Sequence, residues 1–359
     1  MKISEIIKVT GGRLISGDPE TSIDLTIIST DSRKIGQGEF FLPLKGDNFD
    51  GEDFIGDAFN KGAIGAFTSQ CSIFKTQYDK IIVRVKDTTD ALQKLAHYNR
   101  MRFNIPVVGV TGSNGKTTVK DMIAKVLSSE FNVLKNEGTR NNHIGVPLTL
   151  LKLNASHDMC VVEMGTNHPG EIRLLSRIAS PTVAVITNIG PSHLEYLKDL
   201  KGVFAAKKEV LESLKRGSLA VINGDDEYLS TIKSRAFKVM RFGFDVTNDF
   251  HASEVASGGS SIKFTLNDRS LFTLNLIGTH NVYNALAAVA IAYNFDISYT
   301  DTKKALSEYS SAAMRLDARQ SGDVTVIDDA YNSNPLSMKA AIEALAEYPA
   351  KGKWIVSAD

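Results

Sequence analysis

PVVGVTGSNGKTTVKDMIAKVLSS, residues 106–129, decides how this chain folds. The apolar run from Pro106 to Val110 reads as a buried strand. It breaks at a glycine turn, and hydrophobicity resumes with a different period. Val119, Met122, Ile123, Val126 and Leu127 fall at i, i+3, i+4, i+7 and i+8, the stripe of an amphipathic helix from Lys116 to Ser129. Strand, glycine turn and helix N-terminus is the order in which backbone N–H groups and the helix dipole hold phosphate. Lys116 is then placed to reach the β- and γ-phosphates of a nucleotide, and the Thr117 hydroxyl to meet Mg2+. Gly112, Ser113, Asn114, Gly115 and Thr118 complete the expected loop. A tight turn with an exposed lysine is the plainer alternative, and the agreement of strand, turn, GKTT and helix weighs against it.

Outward from this loop the chain alternates short apolar runs with helical patterns. Strands are expected at 158–163, 182–188 and 218–223, and helices at 170–179 and 202–214. Such alternation predicts parallel βαβ units with helices on both faces of a sheet. Residues 249–277 interrupt it with three β-rich segments, read as an antiparallel insertion or edge. Helices are then expected through NVYNALAAVAIAYNF, TDTKKALSEYS and PLSMKAAIEALAEY, with strands at DVTVIDD and at 353–357. The fold class is α/β and multidomain. Residues 1–83 form an N-terminal α/β domain, 84–314 a central P-loop domain, and 315–359 the start of a Rossmann-like C-terminal domain that ends incomplete.

With 359 residues, 43% hydrophobic and 23% charged, the chain can bury two or three cores. Its 41 basic and 41 acidic residues balance, so no broad basic field exists for nucleic acid or an anionic membrane. Cys71 and Cys160 are too few and too far apart for a disulfide framework, which suits a reducing cytoplasm. The N-terminus does not read as a signal peptide, and no stretch approaches the ~18 apolar residues of a membrane span.

Three further residues carry chemistry. Glu163 ends a strand one βαβ step beyond the glycine turn, where ligands of parallel sheets bind, and a carboxylate there suits Mg2+. His193 follows the next strand at a similar position; taken alone, it reads as readily as a surface or capping residue. Lys207 lies in GVFAAKKEVLESL, at the centre of the stripe formed by Val203, Phe204, Val210, Leu211 and Leu214, with Lys208 on its flank. An inward lysine is costly unless paired, chemically changed, or able to snorkel to solvent.

The glycine spacing in TGSNGKTT departs from the common P-loop and resembles the Mur ligase superfamily, ATP-dependent amide-forming enzymes of peptidoglycan precursor synthesis. Other segments extend the resemblance along nearly the whole chain, and most closely to the branch that adds D-alanyl-D-alanine to UDP-N-acetylmuramoyl-tripeptide. TDSRKIGQGEFFLPLKGDNFDGEDF resembles its UDP-binding domain, which implies that Ser32, Arg33, Lys45 and Gly46 meet the uridine diphosphate. RNNHIGVPLTLL implies that Asn141 and Asn142 face the muramoyl substrate. GTHNVYNALAA implies adenine-side contacts from Asn281 and Asn284. MRLD brings Arg315 toward the nucleotide phosphates. IDDAYNSNPLS gives Asp329 the ATP ribose, and its Tyr331–Pro335 run favours the dipeptide-adding branch.

The resemblance implies two Mg2+ ions, one held by Thr117 and Glu163, the other by His193 and by Lys207 carbamylated with CO2. Lys116, Glu163, His193 and Lys207 are then the catalytic set. The implied reaction passes a phosphoryl group from ATP to the tripeptide carboxylate, and the amine of D-alanyl-D-alanine displaces phosphate. The enzyme is expected to be a cytoplasmic monomer, and the chain a fragment that turns over poorly. In-class alternatives are the glutamate- or diamino-acid-adding ligases and folylpolyglutamate-synthase-like enzymes. From another class, a non-catalytic nucleotide-binding regulator is opposed by the presence of Glu163, His193 and Lys207 together.

Overall fold

The computed structural model describes residues 1–46, 48–70 and 79–357, in two compact units. The first comprises Met1–Asn104, Arg140–Ala155 and Arg177–Ser180, and the second the remainder. Cys71 lies outside the described residues, and Cys160 is buried. No helix among the described residues is long and apolar enough to cross a membrane.

The first unit holds a five-stranded sheet of β1 (Arg13–Ser16), β2 (Ile28–Ser29), β3 (Phe40–Phe41), β4 (Gly65–Thr68) and β5 (Ile81–Arg84), in the order β1-β5-β4-β3-β2. Only the β1–β5 pair is antiparallel. Its core gathers Phe41, Ile55, Phe59, Ala66 and Ile82. The helix Thr88–Met101 starts at Asp87, whose carboxylate accepts the Asp90 N–H. Near its end the buried Asn99 amide donates to the carbonyls of Leu150 and Leu153, satisfying orphan acceptors at the end of the helix Gly145–Leu151.

The second unit is built on nine strands: β6 (Val107–Thr111), β7 (Val133–Lys135), β8 (Met159–Glu163), β9 (Val183–Ile186), β10 (Leu219–Asn223), β11 (Lys238–Gly243), β12 (Phe250–Gly258), β13 (Ser261–Leu266) and β14 (Ser270–Leu274). Their order is β14-β13-β12-β11-β10-β9-β6-β8-β7. From β7 to β12 every pairing is parallel, and β12–β13–β14 closes the edge antiparallel. The insertion expected at 249–277 is therefore this antiparallel edge. Strands β6, β8, β9 and β10 are buried along their whole length, as both faces of a helix-covered parallel sheet require.

Four helices of this unit matter below: α1 (Lys116–Leu127), α2 (Leu200–Lys208), α3 (His280–Asn294) and α4 (Pro335–Glu347). Helix α3 packs on α1 and is buried nearly all round, its alanines Ala285, Ala287, Ala288 and Ala290 letting the backbones approach. A hairpin of β15 (Asp317–Ser321) and β16 (Val324–Asp328) precedes α4. One element goes beyond the expectations and one expectation needs correction. Strand β15 is not expected from the sequence, because DARQS is polar and mostly exposed; it is held by its backbone ladder and by the Thr325 hydroxyl, which donates to Gln320 Oε1. Residues 353–357 form no strand: Trp354, Ile355 and Val356 stand exposed, and an extended segment without a neighbouring ladder has nothing to pair its backbone.

Candidate active site

The loop at 112–115 leaves β6 in the middle of the parallel sheet, where successive strands go first to one side (β8) and then to the other (β9). Ligands of open α/β sheets bind in that crevice. The register sets Val110 opposite Glu163 and Thr111 opposite Ile186, so the loop and both neighbouring strand ends finish level. Gly112 and Gly115 both have positive φ, 145° and 77°. A Cβ on Gly112 would lie 1.9 Å from Thr187 Oγ1, and one on Gly115 2.5 Å from Asn284 Oδ1. Only glycine fits either place.

The loop is pinned from the side by residues that sequence reasoning passed over. The Ser113 and Asn114 N–H groups donate to Asn188 O and Oδ1, both at 3.0 Å. Ser113 Oγ donates to Gly190 O and accepts from Gly190 N, each at 2.9 Å, and Asp226 accepts the Ile189 N–H at 2.7 Å. The Asn114 amide exchanges two hydrogen bonds with Asn334, the N-cap of α4, at 3.2 and 2.6 Å. Both donors of the loop's middle residues are thus committed to protein. The first turn of α1, in contrast, has no side-chain cap, and its N–H groups are the ones free to meet an anion. Lys116 folds back over the loop and donates to the carbonyls of Gly112 and Ser113, each at 3.0 Å. Burial pulls its ammonium below the usual lysine range, Glu163 opposing that shift and Arg315 adding to it.

Thr117 donates to Glu163 Oε2 at 2.9 Å, both side chains being almost wholly buried. This is a hard, all-oxygen pair of the kind Mg2+ takes when phosphates supply its other ligands. Thr111 Oγ1, beneath the loop, is buried without a hydrogen-bond partner among the described residues. A fit to Mg2+-nucleotide therefore rests on the glycine cradle, the uncapped helix turn and this oxygen pair. Among the described residues no three His, Cys, Asp or Glu converge as a ready-made metal cage.

His193 follows β9 in a left-handed conformation, φ 52°, and opens the short helix Leu194–Leu197. Partial burial, then the charges of Lys207 and Lys116, push its imidazole below the ordinary value, so it is neutral and able to ligate near pH 7. Lys207 is 1% exposed and, among the described residues, makes neither hydrogen bond nor ion pair. Desolvation drives its pKa far below that of a free lysine; Lys116 adds to the fall, while Glu171 and Glu163 oppose it. Its neighbour Lys208 is exposed over the Phe204 ring, the division expected from the helical stripe. The helix carrying Lys207 is anchored by Glu209, which is buried and accepts the N–H groups of Gly170 and Arg173 at 2.8 and 3.0 Å.

The remaining expected residues fall into three groups. Asn281 and Asn284 are buried, hydrogen-bonded to each other at 2.9 Å, with Asn281 also donating to Ile277 O and Asn284 abutting Gly115. Arg315 stacks its guanidinium 4.1 Å from the centre of the Tyr331 ring, and Asp329 accepts the Leu316 N–H at 3.1 Å. Met314 and Leu316, either side of Arg315, both hold positive φ. In the first unit Arg33 is exposed and forks onto Asp31, whose carboxyl is held at about 2 by that pairing. There too the Ser32 carbonyl accepts from Lys61, the Lys45 backbone pairs with that of Asp50 in an isolated antiparallel bridge, and Gly46 lies against the Phe49 ring. Asn142 caps the helix Gly145–Leu151 through its bond to the Gly145 N–H; Asn141 stands beside it, half-buried.

Comparison with known proteins agrees with this geometry. The profile of the Mur ligase middle domain matches residues 110–292, and that of the Mur ligase family catalytic domain matches residues 24–100. The UDP-N-acetylmuramoyl-tripeptide–D-alanyl-D-alanine ligase of Bacillus subtilis (strain 168) is 38% identical over 353 residues, covering 98% of this chain and 76% of that protein. The crystal structure of MurF from Acinetobacter baumannii superposes with a TM-score of 0.90 at 33% identity, over 97% of this chain and 77% of that one. MurF ligase from Thermotoga maritima in complex with ADP gives 0.83 at 29% identity, over 92% and 77% of the two chains.

Proposed function

This chain belongs to the Mur ligase family, and we propose that it is the ATP-dependent ligase that joins D-alanyl-D-alanine to UDP-N-acetylmuramoyl-tripeptide in peptidoglycan precursor synthesis. The observation that carries the reading is Lys207, a buried lysine without a partner among the described residues and within electrostatic reach of Lys116 and Glu163. A protein that only bound nucleotide would bear that desolvation cost for nothing.

Each residue has a role in this reading. Lys116 and the first-turn N–H groups of α1 bind the β- and γ-phosphates and offset charge as the phosphoryl group moves. Thr117 and Glu163 hold one Mg2+, with neutral His193 and Lys207 at a second. Bound there, Mg2+ supplies Lewis-acid stabilisation of phosphoryl and acyl oxygens. Lys207 joins its site as a carbamate: the neutral amine adds to CO2, an N–C bond forms, and a proton leaves to solvent. A tripeptide carboxylate oxygen attacks the γ-phosphorus and ADP departs, leaving an acyl phosphate. The amine of D-alanyl-D-alanine attacks the acyl carbon, and the tetrahedral intermediate expels phosphate.

Arg315 turns toward the nucleotide phosphates and Asp329 takes the ribose. Asn281 and Asn284 serve the adenine side by bracing the glycine turn. Ser32, Arg33, Lys45 and Gly46 receive the uridine diphosphate, and Asn141 and Asn142 the muramoyl portion. Functionally the chain divides into a UDP-substrate domain (1–83), an ATP-binding domain (84–314) and the beginning of a Rossmann-like domain (315–359), working as a monomer in the cytoplasm. Mass spectrometry of a reaction with ATP, Mg2+ and both substrates tests the reading. The expected product is the sum of the two substrates less one water, with ADP and phosphate released. Product formed instead from UDP-N-acetylmuramoyl-dipeptide and a diamino acid would overturn it.

A further inference from the structure

Lys120 has no part in the chemistry described so far, yet it is 1% exposed. It stands on α1 one turn beyond Thr117. Its ammonium donates to Asn136 O at 3.0 Å and Gly138 O at 3.1 Å, and lies 3.5 Å from Asp121, which is itself paired with Lys135. Burying an ammonium is expensive unless its donors are used, and here they are spent on one short turn following β7. That turn carries Asn136, fully buried, whose Oδ1 accepts the Glu163 N–H at 2.8 Å. Glu163 in turn accepts the Thr117 hydroxyl. The contacts close a ring: from α1 to the turn through Lys120, from the turn to the end of β8 through Asn136, and back to α1 through Glu163 and Thr117.

We propose that Lys120 is a positioning residue for the Thr117–Glu163 magnesium pair. By clamping the 136–138 turn onto α1 it sets, through Asn136, the height at which Glu163 presents its carboxylate to Thr117. A neutral side chain could fill the space, but it would take this donor from the buried Asn136 carbonyl and from the Gly138 carbonyl at the rim, and release the turn. The inference rests on the reading of Thr117 and Glu163 as Mg2+ ligands and deepens it.

The test is a Mg2+ titration of the binding of a non-hydrolysable ATP analogue, followed by calorimetry, with the analogue alone in EDTA as control. Partners that orient metal ligands typically govern 10–100-fold in metal affinity. Lys120→Met is expected to raise the Mg2+ midpoint by roughly tenfold or more, while binding in EDTA changes less than about twofold. Lys120→Arg, which keeps charge and donors, recovers part of the loss. Asn136→Ala, which breaks the ring at another point, shifts the midpoint in the same direction and decides the matter if Lys120→Met does not fold. An unchanged midpoint in a folded variant, or a parallel loss of binding in EDTA, overturns the proposal. If the wild-type protein shows no Mg2+ dependence at all, the metal-pair reading itself fails, a result distinct from failure of the positioning role.

Discussion

Replacing Lys207 by methionine should make the protein more stable and catalytically dead at once. Methionine matches the length and volume of the lysine stem, so packing on the inner face of α2 is conserved while the amine is removed. The wild-type group is 1% exposed and unpaired among the described residues, so no compensating bond is lost. Replacing a buried amine, which folding must desolvate or strip of its proton, by apolar volume is expected to be worth about 1–4 kcal/mol, the range seen when buried ionic groups give way to apolar ones. At roughly 2–4 °C per kcal/mol for a unit of this size, the melting temperature should rise by several degrees.

The sign of the pH dependence follows from the lowered pKa. Between that lowered value and the ordinary 10.5, the unfolded chain holds a proton that the folded one does not. Wild-type stability therefore climbs with pH across this window, and the advantage of Lys207→Met shrinks. Melting curves at several pH values in CO2-free buffer measure the gap, and added bicarbonate should narrow it by converting the amine to carbamate. A variant no more stable than wild type, with the same gap at every pH, would mean that Lys207 is solvated or paired, and the reasoning from burial would fail.

Three other outcomes follow from the site. Gly115→Ala places a Cβ against Asn284 at φ 77°, a strain of about 1–3 kcal/mol, and should abolish ATP-analogue binding in a calorimeter while the fold persists; retained affinity would count against the cradle. Burial holds His280, the first residue of α3, at about 4 instead of 6.5. Its contribution is present above pH 6.5 and lost as pH falls toward 4, roughly 3 kcal/mol in all. His280→Gln should therefore destabilise least, relative to wild type, at the acid end of a denaturant series. Asn334→Ala removes both a helix cap and the partner of Asn114, so a loss of about 1 kcal/mol should accompany weaker nucleotide binding; an effect on stability alone would make the contact merely structural.

Much of this was legible in the sequence because local period and local chemistry coincide. The apolar run before Gly112 and the stripe after Lys116 placed β6 and α1 to within two residues. The helical wheel set Lys207 at the centre of the apolar stripe and Lys208 on its flank, and the structure buries the first and exposes the second. What stayed hidden depends on contacts across long separations. Asn188 and Asn334 grip the glycine turn from 74 and 220 residues away, and no local pattern marks either as a partner. Lys120 sits beside the predicted apolar stripe of α1, where a charged residue reads as solvent-facing; only the arrival of the 136–138 turn buries it. Residues 353–357 show the converse failure, since β-forming side chains specify a strand only where another strand waits.

The central claim is substrate identity, and binding tests it most directly. Calorimetry should compare UDP-N-acetylmuramoyl-tripeptide, the corresponding dipeptide and UDP alone, each with Mg2+ and a non-hydrolysable ATP analogue. The tripeptide is predicted to bind most tightly, the dipeptide more weakly, and UDP weakest. Equal affinity for all three, or preference for the dipeptide, would contradict the assignment to the D-alanyl-D-alanine-adding step.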